Sequence, residues 1–105
     1  MKNYRLREDP VHQRYEFDLG TEQGERAYID YELDGDTIVL THTFVPPAFE
    51  GQGIGAQLVA AVLAEIRRKG LRVVPQCSFV ALYIERHPVW HDMIRRESVS
   101  VESGS

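Results

Sequence analysis

The sequence predicts a single α+β domain in which antiparallel strands come first and helices second. Three observations carry that prediction. Apolar and polar side chains alternate with period two through the first half, a glycine cluster stands at Gly51, Gly53 and Gly55, and a 3.6-residue apolar period starts directly after it. A chain of 105 residues has room for one core of ordinary size, so residues 1–94 form one expected domain. The stretch from Arg95 to Ser105, rich in Ser, Glu and Arg and without apolar periodicity, predicts a disordered tail.

In chain order, Tyr15, Phe17 and Leu19 alternate with polar residues, a turn signal runs from Gly20 to Gly24, and Ala27, Ile29, Tyr31 and Leu33 alternate again. This pattern predicts a hairpin of two half-buried strands. Asp34-Gly35-Asp36 is a second turn. Thr37 to Val45 is a β-branched run whose strict alternation sets Ile38, Leu40, His42 and Phe44 on one face and Val39, Thr41, Thr43 and Val45 on the other. Three antiparallel strands are therefore expected first. Pro46-Pro47 halts the third, because proline donates nothing to a strand ladder. From Gly55 to Lys69, Leu58, Val59, Val62, Leu63 and Ile66 share one stripe, which predicts an amphipathic helix stopped by Gly70. Leu71 to Val74 reads as a short buried strand and Phe79 to Arg86 as a short helix. His87-Pro88 closes that helix, since the residue before proline is pushed out of the helical region. A final helical turn fits Trp90 to Ile94.

Hydrophobic residues at 43% and charged residues at 27% fit a globular domain and argue against a disordered chain. No apolar run approaches the ~20 residues that span a bilayer, so no membrane segment is expected. The first ten residues carry Lys2, Arg5, Arg7, Glu8 and Asp9 and no apolar segment, which does not read as a secretory signal, and cytoplasm is the default location. The single cysteine, Cys77, excludes an intrachain disulfide and leaves a free thiol. The formal charge of −4 is unevenly placed: residues 1–50 carry a net −6 and residues 51–105 a net +2, so an anionic ligand is expected to prefer the second half. No basic stripe interleaved with aromatics is present, and a dedicated nucleic-acid binder is not expected. Oligomeric state is not specified by the pattern.

The most informative segment is Glu50-Gly51-Gln52-Gly53-Ile54-Gly55-Ala56. A strand that ends in glycines and runs straight into a helix leaves backbone N–H groups free at the positive end of a helix dipole, and phosphate is the natural ligand for such a nest. The alternative is a turn that merely joins strand to helix. Two familiar phosphate motifs fail on detail. A Walker loop needs Gly-Lys-Ser/Thr at its end, whereas Gly55 is followed by Ala56-Gln57. A dinucleotide fold needs an acidic residue about 20 positions on, where the chain reads Val73-Val74-Pro75-Gln76. What remains resembles motif A of the Gcn5-related N-acetyltransferases, whose Arg/Gln-x-x-Gly-x-Gly/Ala loop holds the pyrophosphate of acetyl-coenzyme A. Gly53-Ile54-Gly55 fits it, and Glu50 stands at the Arg or Gln position. Four motifs in register over residues 11–94 resemble the compact single-domain members of that superfamily: His42-Thr43-x-Val45-Pro46, the glycine loop, Val74-Pro75-x-Cys77-x-Phe79-Val80, and Tyr83-Ile84-x-Arg86-His87-Pro88. Phe44 where a glutamate is expected, Ser78 where a proline is usual, and Val89-Trp90 where an acidic-aromatic pair is common are departures.

The resemblance implies an acetyltransferase-like fold of antiparallel strands, pyrophosphate loop and helix, a splayed strand and a short helix. It implies acetyl-coenzyme A as co-substrate in the cleft between the third strand and the short fourth one. The pyrophosphate would lie on Gly51, Gln52, Gly53, Ile54, Gly55 and Ala56, with Phe44 and Val45 beside the cleft, and the reaction would be acyl transfer to an amine of a protein or a small molecule. A coenzyme A or acyl-coenzyme A binding module without turnover is the alternative. Cys77 is either a thiol set beside the acetyl thioester, a role the resemblance suggests, or a small buried hydrophobe. His42 is either a general base or activator of that cysteine, or a satisfied core histidine. Tyr83 stands near the superfamily's tyrosine that reprotonates the coenzyme A thiolate, and core packing is its other reading. Arg86-His87-Pro88 reads as a helix end that could also reach the adenosine of the ligand. Arg67-Arg68-Lys69 reads as a solvated face complementing the helix dipole. No metal site is expected, since His12, His42, His87, His91 and Cys77 lack ligand spacing.

Overall fold

A computed structural model describes residues 3–95. Residues 96–105, most of the expected disordered tail, lie outside the described residues. Within them the order is β1 (Leu6–Asp9), β2 (Arg14–Asp18), β3 (Arg26–Asp34), β4 (Thr37–Phe44), a 3₁₀ turn (Pro47–Phe49), α1 (Ile54–Lys69), β5 (Arg72–Pro75), α2 (Ser78–Glu85) and a second 3₁₀ segment (Pro88–Met93). The strands form one sheet in the order β1-β2-β3-β4-β5. The first four are antiparallel, and β5 joins parallel to β4. Parallel neighbours need a crossover, and α1 supplies it.

The hairpins, α1, the short strand and α2 lie within a residue or so of their expected bounds. The expected count of three leading strands is corrected to four. Leu6-Arg7-Glu8-Asp9 has one apolar residue and no alternation to betray it. Ladder bonds to β2 hold it, together with a polar lock in which Lys69 Nζ donates to Glu8 (2.7 Å) and to the Tyr15 hydroxyl (3.1 Å), while the Tyr31 hydroxyl donates to Glu8 (2.5 Å).

The inner face of the sheet buries Tyr15, Phe17, Ala27, Ile29, Tyr31, Ile38 and Leu40 against Leu58, Val59, Val62, Leu63 and Ile66 of α1. Gly70, at φ 74°, caps α1 in the left-handed region. The outer face has no helix over it among the described residues. On it the Arg14 guanidinium lies 3.7 Å over the Tyr28 ring and donates to Asp30 at 2.8 Å.

A bulge divides β4. Asp30 pairs with His42 but Tyr31 pairs with Leu40, so Thr41 is the extra residue and the inside-outside parity reverses across it. The expected face of His42 and Phe44 is corrected accordingly. Both turn to the outer face, where their rings approach Tyr28 at 6.4 and 5.2 Å, and Thr43, opposite Ile29, turns inward.

At the centre of the helix–sheet interface, Leu63 is fully buried. Leu63→Ala is expected to lower unfolding free energy by about 3 kcal/mol through lost transfer energy and a residual cavity, measured by urea titration.

Candidate active site

The loop between β4 and α1 is shaped by its glycines. Gly51 and Gly53 sit at φ 82° and 78°, where side chains other than glycine are strained, and Gly53 is the residue from which α1 begins. The first turn of α1 makes its first bond at Gln57, whose N–H donates to the Gly53 carbonyl. The N–H groups of Ile54, Gly55 and Ala56 are thus left open, and no acidic residue in that turn competes for them. Gly55 serves a third purpose, because a Cβ there would stand 2.9 Å from Cζ of Phe79. The Gln52 side chain is turned back to the Ala48 carbonyl at 3.5 Å.

From this loop a cavity of about 330 Å³, lined by Val45, Phe49, Glu50, Gly53, Gly55 and Phe79 among others, runs to Thr43. It exists because β4 and β5 part company. Their register ends at Leu40 opposite Pro75, a residue with no N–H. The chain turns through Gln76, the Cys77 N–H donates to the Leu40 carbonyl at 2.8 Å, and α2 departs. Beyond Leu40, β4 has no strand partner on that side among the described residues.

Cys77 sits at the mouth of this splay, half-buried, at the residue from which α2 begins. Its Sγ lies 3.3 Å from Thr43 Oγ1. Burial pushes the thiol pKa up, but the Thr43 hydroxyl and the main-chain N–H groups of Val80, Phe79 and Thr43 outweigh it, so the thiol lies below its ordinary range. The same donors favour the thiolate over the thiol form at this position.

A second cavity, about 460 Å³, lies between α1 and α2 on the other side of Phe79, with Ala56, Ala60, Leu82 and Tyr83 among its lining residues. Tyr83 is here, its ring stacked 3.9 Å from that of His87, whose Nδ1 is 2.7 Å from the Tyr83 carbonyl oxygen. The structure therefore brings together the glycine loop, Val45 and Cys77, and sets the Tyr83 phenol in the adjoining chamber. It places the side chains of His42 and Phe44 on the far side of the sheet from Cys77. Thr43, Phe79 and Glu50 complete the site, and Thr43 was hidden by the bulge. The Arg67-Arg68-Lys69 run is not simply solvated: Arg67 donates to Asp92 (2.5 Å) and to the Val89 carbonyl (3.0 Å), and Lys69 holds β1.

A strand-loop-helix with open amides leading into a splayed parallel pair defines an α+β acetyltransferase-like domain. A family model described as GCN5-related N-acetyl-transferase matches residues 14–93. The chain belongs to the GCN5-related N-acetyltransferase family. It is 35% identical over 66 residues to the NATD1 proteins of Gallus gallus and Homo sapiens, a match that takes in 62% of this chain and 60% and 58% of those proteins. The matched stretch thus spans somewhat over half the length of these relatives. The solution structure of a GCN5-like protein from Staphylococcus aureus superposes with a TM-score of 0.68 at 25% identity, covering 95% of this chain and 96% of that one. No helix among the described residues is long and apolar enough to cross a membrane.

The cysteine environment has a direct readout. Alkylation of Cys77 by iodoacetamide is expected to show a midpoint lower than that of an exposed thiol without such donors. Thr43→Val, which removes a donor to the thiolate, moves the midpoint upward, and His42→Ala, across the sheet, leaves it in place. Rates followed from pH 5 to 10 by mass spectrometry check the order.

Proposed function

We propose that this chain is an acetyl-coenzyme A-dependent N-acetyltransferase in which Cys77 accepts the acetyl group before an amine does. One observation carries the reading: the cavity that starts at the open α1 N-terminus runs to Thr43, whose Oγ1 lies 3.3 Å from the Cys77 thiol. Residues Gly51 to Ala56 would bind the pyrophosphate, Val45 and the free edge of β4 would hold the amide-bearing arm, and Cys77 would meet the thioester. The main chain of Phe44 belongs to that edge even though its ring faces away. The Cys77 thiolate attacks the thioester carbonyl carbon, the carbon–sulfur bond to coenzyme A breaks, and coenzyme A leaves as its thiolate. An amine then attacks the Cys77 thioester, the Cys77–carbonyl bond breaks, and the amine's proton passes to solvent.

This route is favoured over direct attack by the amine with Tyr83 as acid, because the Tyr83 phenol lines the neighbouring cavity and is stacked on His87. Thr43, and not His42, is the β4 side chain in contact with the Cys77 thiol, so no histidine base or activator enters this route. Glu50 in place of a basic residue leaves phosphate binding to main-chain amides, which do not depend on a side chain. A free, reactive thiol suits a reducing compartment such as the cytoplasm.

Incubation with acetyl-coenzyme A and intact-mass spectrometry should show one added acetyl group, mapped to Cys77. Gly53→Glu should abolish binding by calorimetry, since it sets a strained, negative side chain in the nest. Cys77→Ala should retain binding and lose both the adduct and turnover over a panel of amines. Binding without adduct or product from any amine would make the chain a coenzyme A-binding module, and an unchanged rate in Cys77→Ala would return the chemistry to direct attack.

A further inference from the structure

We propose that the cavity bounded by β5, α2 and the second 3₁₀ segment seats the amine acceptor, and that Glu85 selects acceptors carrying a second cationic group at the end of an apolar spacer. The inference rests on the acetyl-transfer reading above and adds a substrate class to it, the aliphatic diamines.

The cavity, about 440 Å³, is lined by Pro75, Ala81, Ile84, Glu85, His91 and Ile94. It shares no lining residue with the cavities that hold the glycine loop and Tyr83. It nonetheless begins beside the thiol-bearing residue. Pro75 stands just before Cys77 in the chain, and Ala81, one turn after it, donates its N–H to the Cys77 carbonyl at 2.9 Å. Ile84 and Glu85 follow Ala81 on the same side of α2 at helical spacing.

Charge picks out the far end. Among the described residues from Gly51 onward, the acids are Glu65, Glu85 and Asp92. Arg68 holds Glu65 and Arg67 holds Asp92, while Glu85 has no basic partner there. Arg86, next in sequence, lines the cavity on the α1 side instead. Arg72 and Arg95, in an adjoining pocket that shares His91 and Ile94, donate to the Asp92 carbonyl and to Asp34.

His91 adds an acceptor. Its Nε2 is 2.9 Å from the Ile84 carbonyl oxygen, which only accepts, so the neutral ring carries its hydrogen on Nε2 and keeps a lone pair on Nδ1. Glu85 is the last residue of α2, where the helix dipole presents its negative end. A carboxylate, an imidazole lone pair and a helix C-terminus all favour a cation. Between that end and Cys77 the wall is Pro75, Ala81, Ile84 and Ile94, which suits methylenes and gives an ammonium no partner.

Cys77 and Glu85 are about 12 Å apart along the helix axis, and a helical side chain leans toward the N-terminus, which brings the carboxylate back toward the thiol. A spacer of roughly five methylenes between two amines spans what remains. The wall is set in advance: Arg67 ties the 3₁₀ segment to α1 through the Val89 carbonyl and Asp92, Arg72 ties it to β5, and Ile94 bridges to Val73. With the far ammonium on Glu85, the near amine in its uncharged form attacks the acetyl carbonyl on Cys77. The carbon–sulfur bond breaks, the Cys77 thiolate is released, and the amine's proton passes to solvent.

Turnover of the full chain at saturating acetyl-coenzyme A, with pentamethylenediamine and with pentylamine, tests the proposal beside an NMR titration with the diamine. Expected kcat/KM for the diamine is about tenfold that for the monoamine, roughly fivefold from one exposed charge pair and about twofold from having two amines. Glu85→Gln should lower that ratio to about two through KM for the diamine, and Glu85→Asp should keep part of it. Ala81→Leu, which fills the cavity, should raise KM for both amines. The main-chain amide resonances of Ala81, Glu85 and His91 should move as the diamine is added. Equal use of the two amines, a Glu85→Gln variant that keeps the preference, resonances that stay in place, or a protein that acetylates Cys77 and passes nothing to the diamine would each overturn the assignment and leave the acetyl-coenzyme A reading standing. A protein that binds no acetyl-coenzyme A would overturn both.

Discussion

The hydrogen bond from the Cys77 N–H to the Leu40 carbonyl is the constraint on which the rest of the site depends. It is the last link between the strands that flank the cleft, and it falls where it does because Pro75, the final residue of β5, has no N–H to continue the ladder. One residue later the chain is already turning into α2. The same bond therefore ends the sheet, opens the slot beside β4 and fixes the thiol at the start of a helix, where main-chain N–H groups point at it. A longer β5 would seal the slot and carry Cys77 away from Thr43.

A second departure from regular pairing, the bulge at Thr41, decides which residues of β4 look into that slot. Much of the architecture was legible because burial leaves a periodic trace. The β2–β3 hairpin, α1 with its glycine stop, the loop and the short strand each follow from spacing. The bulge left little trace. Residues Thr41, His42 and Thr43 are polar whichever way they face, so neither parity is penalised. The one hint is Val45, an apolar residue on the opposite parity to Leu40, and Phe44 beside it offsets that hint. This is why spacing alone favours His42 while the fold presents Thr43.

The other illegible features are tertiary pairings between distant charges. Lys69 meets Glu8 across the sheet edge, and Arg67 meets Asp92 while its guanidinium lies 4.8 Å over the Trp90 ring. Spacing along α1 shows these cations only as an exposed cluster near a helix C-terminus. Folding makes them ties between α1 and the two ends of the chain. Arg86 is the reverse case: it sits at a helix end as its sequence context suggests, yet its main chain performs the capping and its side chain has no hydrogen-bond partner among the described residues.

The edge strand β1 has a meaning beyond its place in the ladder. An open sheet edge is a row of unpaired amides onto which another chain can build, and β2, with its buried Tyr15 and Phe17, would be a dangerous strand to leave outermost. Covering it with four residues, three of them charged and one locked to Lys69, ends the sheet on a strand too short and too polar to be extended. Protection against edge-to-edge aggregation is thus built into the segment whose lack of hydrophobic pattern makes it look like a leader to the fold.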